Sequence, residues 1–236
     1  MAFPPPDNSP FFPWDTVFAP QGAEFQAVRR GLGSRVTAIP VGADAVTDYL
    51  NQWRLGLTAP PQRVLILGLA GGLTADLKIG DVTLAETCRR QDSPQVWLTD
   101  PESNARLERK LGNIQRVHSL TVPQPLWREQ EKRRRASQYS AQIVEMENSA
   151  ILAFFTPSQT PVAILRVISD GLRGDLPNLE GIYNAQGQLK PERLLLAFAR
   201  NPPAALRLVR GSLTALGVLE NLTRRLAQRP WEESRP

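Results

Sequence analysis

The chain has 236 residues, 42% of them hydrophobic, enough to bury one substantial core, and its length calls for one domain or at most two, of which we read one. A single cysteine, Cys88, excludes an internal disulfide and a Cys-rich metal site, while a single histidine, His118, excludes a multi-His metal centre and argues against a His-dependent triad. The net charge of +5 permits weak attraction to polyanions but specifies neither fold nor mechanism.

Residues 1–16 hold Pro4, Pro5, Pro6, Pro10 and Pro13 together with Phe11, Phe12 and Trp14, a composition that resists regular structure and predicts an arm lying over a surface. The N-terminus lacks the basic region and apolar core of a signal peptide, and no apolar stretch approaches the roughly 18–20 residues of a membrane span. The expectation is therefore a cytoplasmic protein with no membrane span.

Val17, Phe18 and Ala19 read as a short strand, followed through Pro20-Gln21-Gly22-Ala23 by a helix over 24–32. A strand over 35–41 and a helix over 44–55 come next. Arg63-Val64-Leu65-Ile66-Leu67 is a continuous apolar run ended by Gly68-Leu69-Ala70-Gly71-Gly72-Leu73, the pattern of a central buried strand running into a tight turn. Further strands are expected over 80–85, 95–98, 116–122, 142–146 and 162–168, with helices over 101–111, 126–139 and 149–155.

From 191 to 228 the pattern is helical, broken at Asn201-Pro202-Pro203. Its Leu206, Val209, Leu213, Leu216, Leu219 and Leu222 recur at helical spacing and predict a packing stripe. Residues 229–236 are expected to form a disordered tail, leaving 17–228 as the domain. The alternation of strands and helices predicts an α/β fold, a three-layer αβα single domain around a central mixed, largely parallel sheet.

The densest basic run, Lys132-Arg133-Arg134-Arg135, lies in the helical stretch that also holds Glu129 and Glu131, with no aromatic residue among the cations. It reads as a solvated helix face, so nucleic acid is not an expected partner.

Two segments place acids directly after β-branched runs: Ile143-Val144-Glu145-Met146-Glu147 and Val167-Ile168-Ser169-Asp170. Adjacent buried strands would deliver Glu147 and Asp170 to one sheet edge, where open α/β sheets keep their sites. A carboxylate withdrawn from water needs a partner, a proton or a function. A protonated Asp can donate to a leaving group, and an ionised Glu can hold sugar hydroxyls. The alternative is structural, with Glu147 capping the helix that starts at Asn148 and Asp170 opening a turn before Gly171. The glycines of Gly68-Leu69-Ala70-Gly71-Gly72 admit close approach of a sugar or phosphate, or serve a plain turn.

Taken in order, Pro20-Gln21-Gly22-Ala23-Glu24, Gly68-Leu69-Ala70-Gly71-Gly72-Leu73, Leu77-Lys78-Ile79-Gly80-Asp81-Val82, Val144-Glu145-Met146-Glu147 and Ile168-Ser169-Asp170 resemble the purine nucleoside phosphorylase and methylthioadenosine/S-adenosylhomocysteine nucleosidase superfamily. The resemblance implies the nucleoside phosphorylase-like fold and cleavage of the N-ribosidic bond of a purine (adenine) nucleoside with a modified 5′ group, by hydrolysis or phosphorolysis, the alternative being a non-catalytic nucleoside-binding protein on the same fold. It implies that Asp170 protonates or hydrogen-bonds N7 of the purine, oriented by Ser169, and that Glu147 accepts from the ribose hydroxyls with Met146 on the sugar face. Ala70 and Gly71 would line the ribose and nucleophile side, Glu24 would activate water, and Trp127 lies near the place of the base-stacking aromatic. No cofactor or metal is implied, with phosphate a possible co-substrate, and a homo-oligomer is expected. Many relatives carry Ser or Thr where this chain has Leu69. Asp175-Leu176-Pro177, Ala185-Gln186-Gly187 and Asn201-Pro202-Pro203 with the leucine-rich helix resemble the phosphorylase branch associated with hopanoid biosynthesis, a resemblance that implies removal of adenine from an adenosylated hopane.

Overall fold

A computed structural model of the protein describes residues 12–112, 114–228 and Trp231. Most of the expected arm and tail, residues 1–11, 229–230 and 232–236, lies outside the described residues. Of the rest, Trp14 is only 1% exposed, and its ring packs edge-on against Trp231 with centroids 5.0 Å apart. The core therefore reaches into both segments.

The strands are β1 (Thr16–Pro20), β2 (Val36–Ile39), β3 (Val64–Gly72), β4 (Val82–Arg90), β5 (Val96–Leu98), β6 (Gln115–Thr121), β7 (Ile143–Glu145) and β8 (Val162–Asp170). The helices are α1 (Ala23–Leu32), α2 (Ala43–Leu55), α3 (Pro101–Leu111), α4 (Glu129–Tyr139), α5 (Asn148–Phe155), α6 (Pro191–Arg200) and α7 (Pro202–Ala227). Local chemistry sets several ends. Asp100 caps α3 by accepting from Ser103 N at 2.7 Å, with Pro101 in the first turn. Asn201 does the same for α7, accepting from Ala204 N at 3.2 Å ahead of Pro202, which is why the helical pattern breaks there.

The Gly68–Gly72 stretch departs from the expected tight turn. It continues β3, because β8 pairs with it in parallel as far as Gly71, and β7 pairs antiparallel with Gly71 and Gly72. The hydrogen-bonding partners on both sides outweigh the poor strand propensity of glycine.

The sheet runs β2-β1-β3-β7-β6-β4-β5, with β8 bonded to both β3 and β4. The pairings β3 to β8, β8 to β4, β4 to β6, β6 to β7 and β7 to β3 thus close a ring, curling the centre of the sheet. Five of the eight strand pairings among the described residues are parallel, so the sheet is mixed and largely parallel.

The two-residue period of the strands divides the core between the layers. Val17, Leu65, Leu67, Leu165 and Val167 share a cluster with residues of α1 and α7. Phe18, Ile66 and Ile164 share another with α2 and α5, where Phe18 sits edge-on to Trp53 at 5.2 Å. Burying such side chains contributes about 1.5–3 kcal/mol each.

Candidate active site

β3, β8, β7 and the first turn of α1 end around one cavity of about 970 Å³. Of the residues expected at the site, Glu24, Ala70, Gly71, Met146, Glu147, Ser169 and Asp170 all line it. Trp127 does not. Leu126 takes the cavity side, while Trp127 packs with the cluster of Leu176, Leu179 and Ile182 and carries the Arg128 guanidinium 4.3 Å from its ring centroid.

The end of β8 owes its shape to a register shift. Its residues pair with β3 one to one up to Ile168 opposite Ala70, and then Asp170 stands opposite Gly71, leaving Ser169 as the extra residue. Such a bulge re-aims the side chain that follows it. Ser169 Oγ donates to Asp170 Oδ1 at 2.8 Å.

Arg166, in the same strand, is 0% exposed and anchors the opposite wall. Its guanidinium donates to Glu145 Oε2 and Glu147 Oε2, each at 3.3 Å, to Asn148 Oδ1 at 2.5 Å and to the Leu69 carbonyl at 3.3 Å. Glu145 accepts from Thr121 Oγ1 at 2.5 Å and from the amides of Glu147 and Asn148 at 2.8 and 2.6 Å. The capping function expected of Glu147 at α5 therefore falls to Glu145, which receives the first amides of the helix. Burial pushes the Glu145 carboxyl up from its ordinary value, against the pull of Arg166. Glu147 is left free of the helix: its Oε1 accepts from Gly42 N at 3.1 Å, and its carboxylate borders the cavity.

Glu24 lies across from this pair. Leu69 N donates to Glu24 Oε2 at 2.6 Å, so the position that carries no hydroxyl still contributes its backbone amide. Burial raises the Glu24 pKa to about 7, with Arg166 and the Leu69 amide lowering it and the charges of Glu147 and Glu145 raising it. A carboxyl poised there exchanges protons readily near neutral pH. Tyr183, in the loop after β8, is also pushed up, by burial first and then by Glu24 and Glu147.

Asp170 also meets a buried cation. Lys132 Nζ forms an ion pair with Asp170 Oδ2 and donates to the Gly171 carbonyl at 2.7 Å. Lys132 is 0% exposed, so the basic run is not wholly a solvated face. Arg133 and Arg134 remain exposed, paired with Glu129 and Glu131, while Lys132 points inward.

The remaining cavity wall is apolar. Leu176, Leu179 and Ile182 from the loop after β8 face Val209, Leu213 and Leu216 of α7. The expected packing stripe thus divides: Leu219 and Leu222 are buried against α1, whereas Val209, Leu213 and Leu216 border the cavity, with Leu213 65% exposed.

Sequence reasoning assigned no role to Arg166, Lys132, Glu145 or Tyr183. Arg166 carried a signal, since a lone cation inside Val162-Ala163-Ile164-Leu165-Arg166-Val167 has to meet an anion. Lys132 carried none, because four consecutive cations look alike until the helix is docked.

The site is thus a curled α/β sheet with acids at its strand ends, the layout of an enzyme pocket. Residues 15–199 match the family model described as the phosphorylase superfamily. The chain belongs to that superfamily. Similar solved structures include futalosine hydrolase of Helicobacter pylori (15% identity, 90% of this chain and 96% of that one, TM-score 0.66). They also include the Neisseria meningitidis 5′-methylthioadenosine/S-adenosylhomocysteine nucleosidase (16%, 90% and 97%, TM-score 0.63) and the H. pylori nucleosidase of the same name (18%, 88% and 96%, TM-score 0.60). No curated protein sequence matches the chain.

Proposed function

We propose that the protein cleaves the N-ribosidic bond of a purine nucleoside, adenine the favoured base, bearing a modified 5′ group, and that water is the nucleophile. The observation that carries the reading is the single cavity in which Glu24, Glu147 and Asp170 meet. The charged side chains in its lining are all carboxylates. Such a lining favours a developing ribosyl cation and disfavours a phosphate dianion.

In this reading Asp170 faces N7 of the base, Glu147 accepts from the ribose hydroxyls, and Met146 packs on the sugar. Glu24, held by the Leu69 amide, takes a proton from the attacking water. Arg166 keeps Glu147 in place. The apolar wall of Leu176, Leu179, Val209 and Leu213 would receive the 5′ group, which suits the hydrocarbon-bearing substrate implied by the resemblance to the hopanoid-associated branch.

Incubation with methylthioadenosine, S-adenosylhomocysteine, adenosine, inosine and futalosine, with and without phosphate, tests the reading. Free base is expected from an adenine nucleoside without phosphate. Release only in its presence would replace hydrolysis by phosphorolysis, and no base in either condition would remove the reading for these substrates.

A further inference from the structure

Two buried cations serve this cavity, and they are chemically different. Arg166 holds Glu145 and Glu147, and a guanidinium does not give up its proton in a protein. Lys132 alone of the two meets Asp170. Orientation does not require it, since Ser169 Oγ already fixes Oδ1. Enclosing an ammonium completely costs several kcal/mol before pairing. An Asp170 carboxylate in an ion pair has no proton to give to a leaving group, and the acid in direct contact with it is the Lys132 ammonium.

We propose that Lys132 acts through Asp170, storing the proton that Asp170 delivers to the purine, an inference that rests on the nucleoside-cleaving role above. An Nζ–H bond breaks and an Oδ2–H bond forms, converting the ion pair to a neutral amine and a neutral acid. As the C1′–N9 bond breaks, its electron pair passes to the purine, and the Asp170 proton moves to N7, so the base leaves neutral. Water adds its oxygen to C1′ and yields its proton to Glu24. After the base departs, the proton lost by Glu24 balances the one that Lys132 regains through Asp170 from the water-filled cavity. The other ionisable groups lining the cavity are Glu24 from α1, Glu145 and Glu147 at the end of β7, and Tyr183. On α4 itself, Glu129 and Glu131 are engaged by Arg133, Arg134, Arg135 and the Gly174 amide, and Asp175 accepts from the Glu129 amide.

The test is base release across pH by the full chain and by Lys132→Met, Lys132→Gln and Lys132→Arg. Circular dichroism selects the variants that fold, and Lys132→Gln stands in should Lys132→Met not fold. The readout is the ratio of variant to wild-type kcat, in which the titration of Glu24 cancels. Near neutral pH the Met and Gln variants are expected to fall about 100-fold or more with KM little changed. Their ratio climbs as pH is lowered, because Asp170 then takes its proton from solvent. Lys132→Arg, which restores charge without a transferable proton, stays as low as Lys132→Met near neutrality. A ratio that does not change with pH, or recovery of the wild-type rate by Lys132→Arg, overturns the proton store and leaves a structural ion pair. Absence of base release by the wild type from every nucleoside overturns the proposed activity, and this inference with it.

Discussion

At the scale of single residues, the cavity is governed by how each carboxylate is paired. Glu24 has its pKa raised to about 7 by burial, so its base form grows in as pH rises through that value. Hydrolysis is expected to rise over the same interval, and Glu24→Gln is expected to lose at least about 100-fold in kcat, measured by base release. The same shift bears on stability with the opposite sign. The unfolded chain sheds this proton from about pH 4.5 and the folded one only near pH 7, so the folded state binds the extra proton between them. Stability should therefore decline as pH rises across that window, by about 1–3 kcal/mol from this group. Urea unfolding should show a shallower decline in Glu24→Gln.

Arg166 is the complementary case. Removing it as Arg166→Met leaves Glu145 and Glu147 buried without their counter-charge, which should cost about 3–5 kcal/mol near neutral pH. The deficit should narrow in acid, where the Glu145 carboxyl, already pushed up by burial, takes up its proton, and equilibrium unfolding at two pH values checks both parts. The acids themselves were legible in sequence because each follows a β-branched run. Their division of labour was not, since Glu145 and Glu147 differ only in which one turns toward Thr121 and the start of α5.

At the scale of elements, β3 shows why glycine punctuation misleads. Gly68 looked like the start of a turn, yet it is a strand residue beside which Arg166 and Glu24 come together. A Cβ there would lie 2.6 Å from Glu24 Oε2 and in collision with Arg166 Nη1. Both neighbours are side-chain ends held by hydrogen bonds, and Pro20 Cδ would stand 3.2 Å away, so Gly68→Ala should displace Arg166 and Glu24 at a loss of about 1–3 kcal/mol. Base release should fall more than tenfold as the two groups are pushed apart. Thermal unfolding and kcat together check this, and an unchanged kcat would place the reacting atoms away from Gly68. Strands and helices were otherwise legible from periodicity, with ends displaced by a few residues. The place of Trp127 was not, because adjacent residues of an irregular segment carry no period to say which one faces inward.

At the scale of the whole molecule, the site depends on long-range closure. The ring of five strands requires β8 to bond β4 as well as β3, a pairing that no local pattern announces. The layered α/β character was legible, whereas the curl was not. α7 then seals the structure where the ring meets the site, with Gly211 packed so tightly on the end of β8 that a Cβ would collide with the Ser169 carbonyl. Since that atom is backbone, relief must come from moving the helix or the strand. Gly211→Ala is expected to destabilise the fold by about 1–3 kcal/mol and also to slow base release, as followed by thermal unfolding and kcat. Unaltered turnover would mean that the helix alone yields.

The extra residue at Ser169 separates two kinds of order within β8. Upstream of it, side chains keep step with their neighbours and fill the interior. Beyond it, the carboxylate keeps a step of its own. On the proposed function, spacing as well as residue type thereby becomes a variable for meeting a leaving group: one residue gained or lost at that point would swing the carboxylate to a new bearing while the interior remains as it was. Under that reading, a change of substrate would need only an insertion or deletion at a strand tip, without a new catalytic group having to arise.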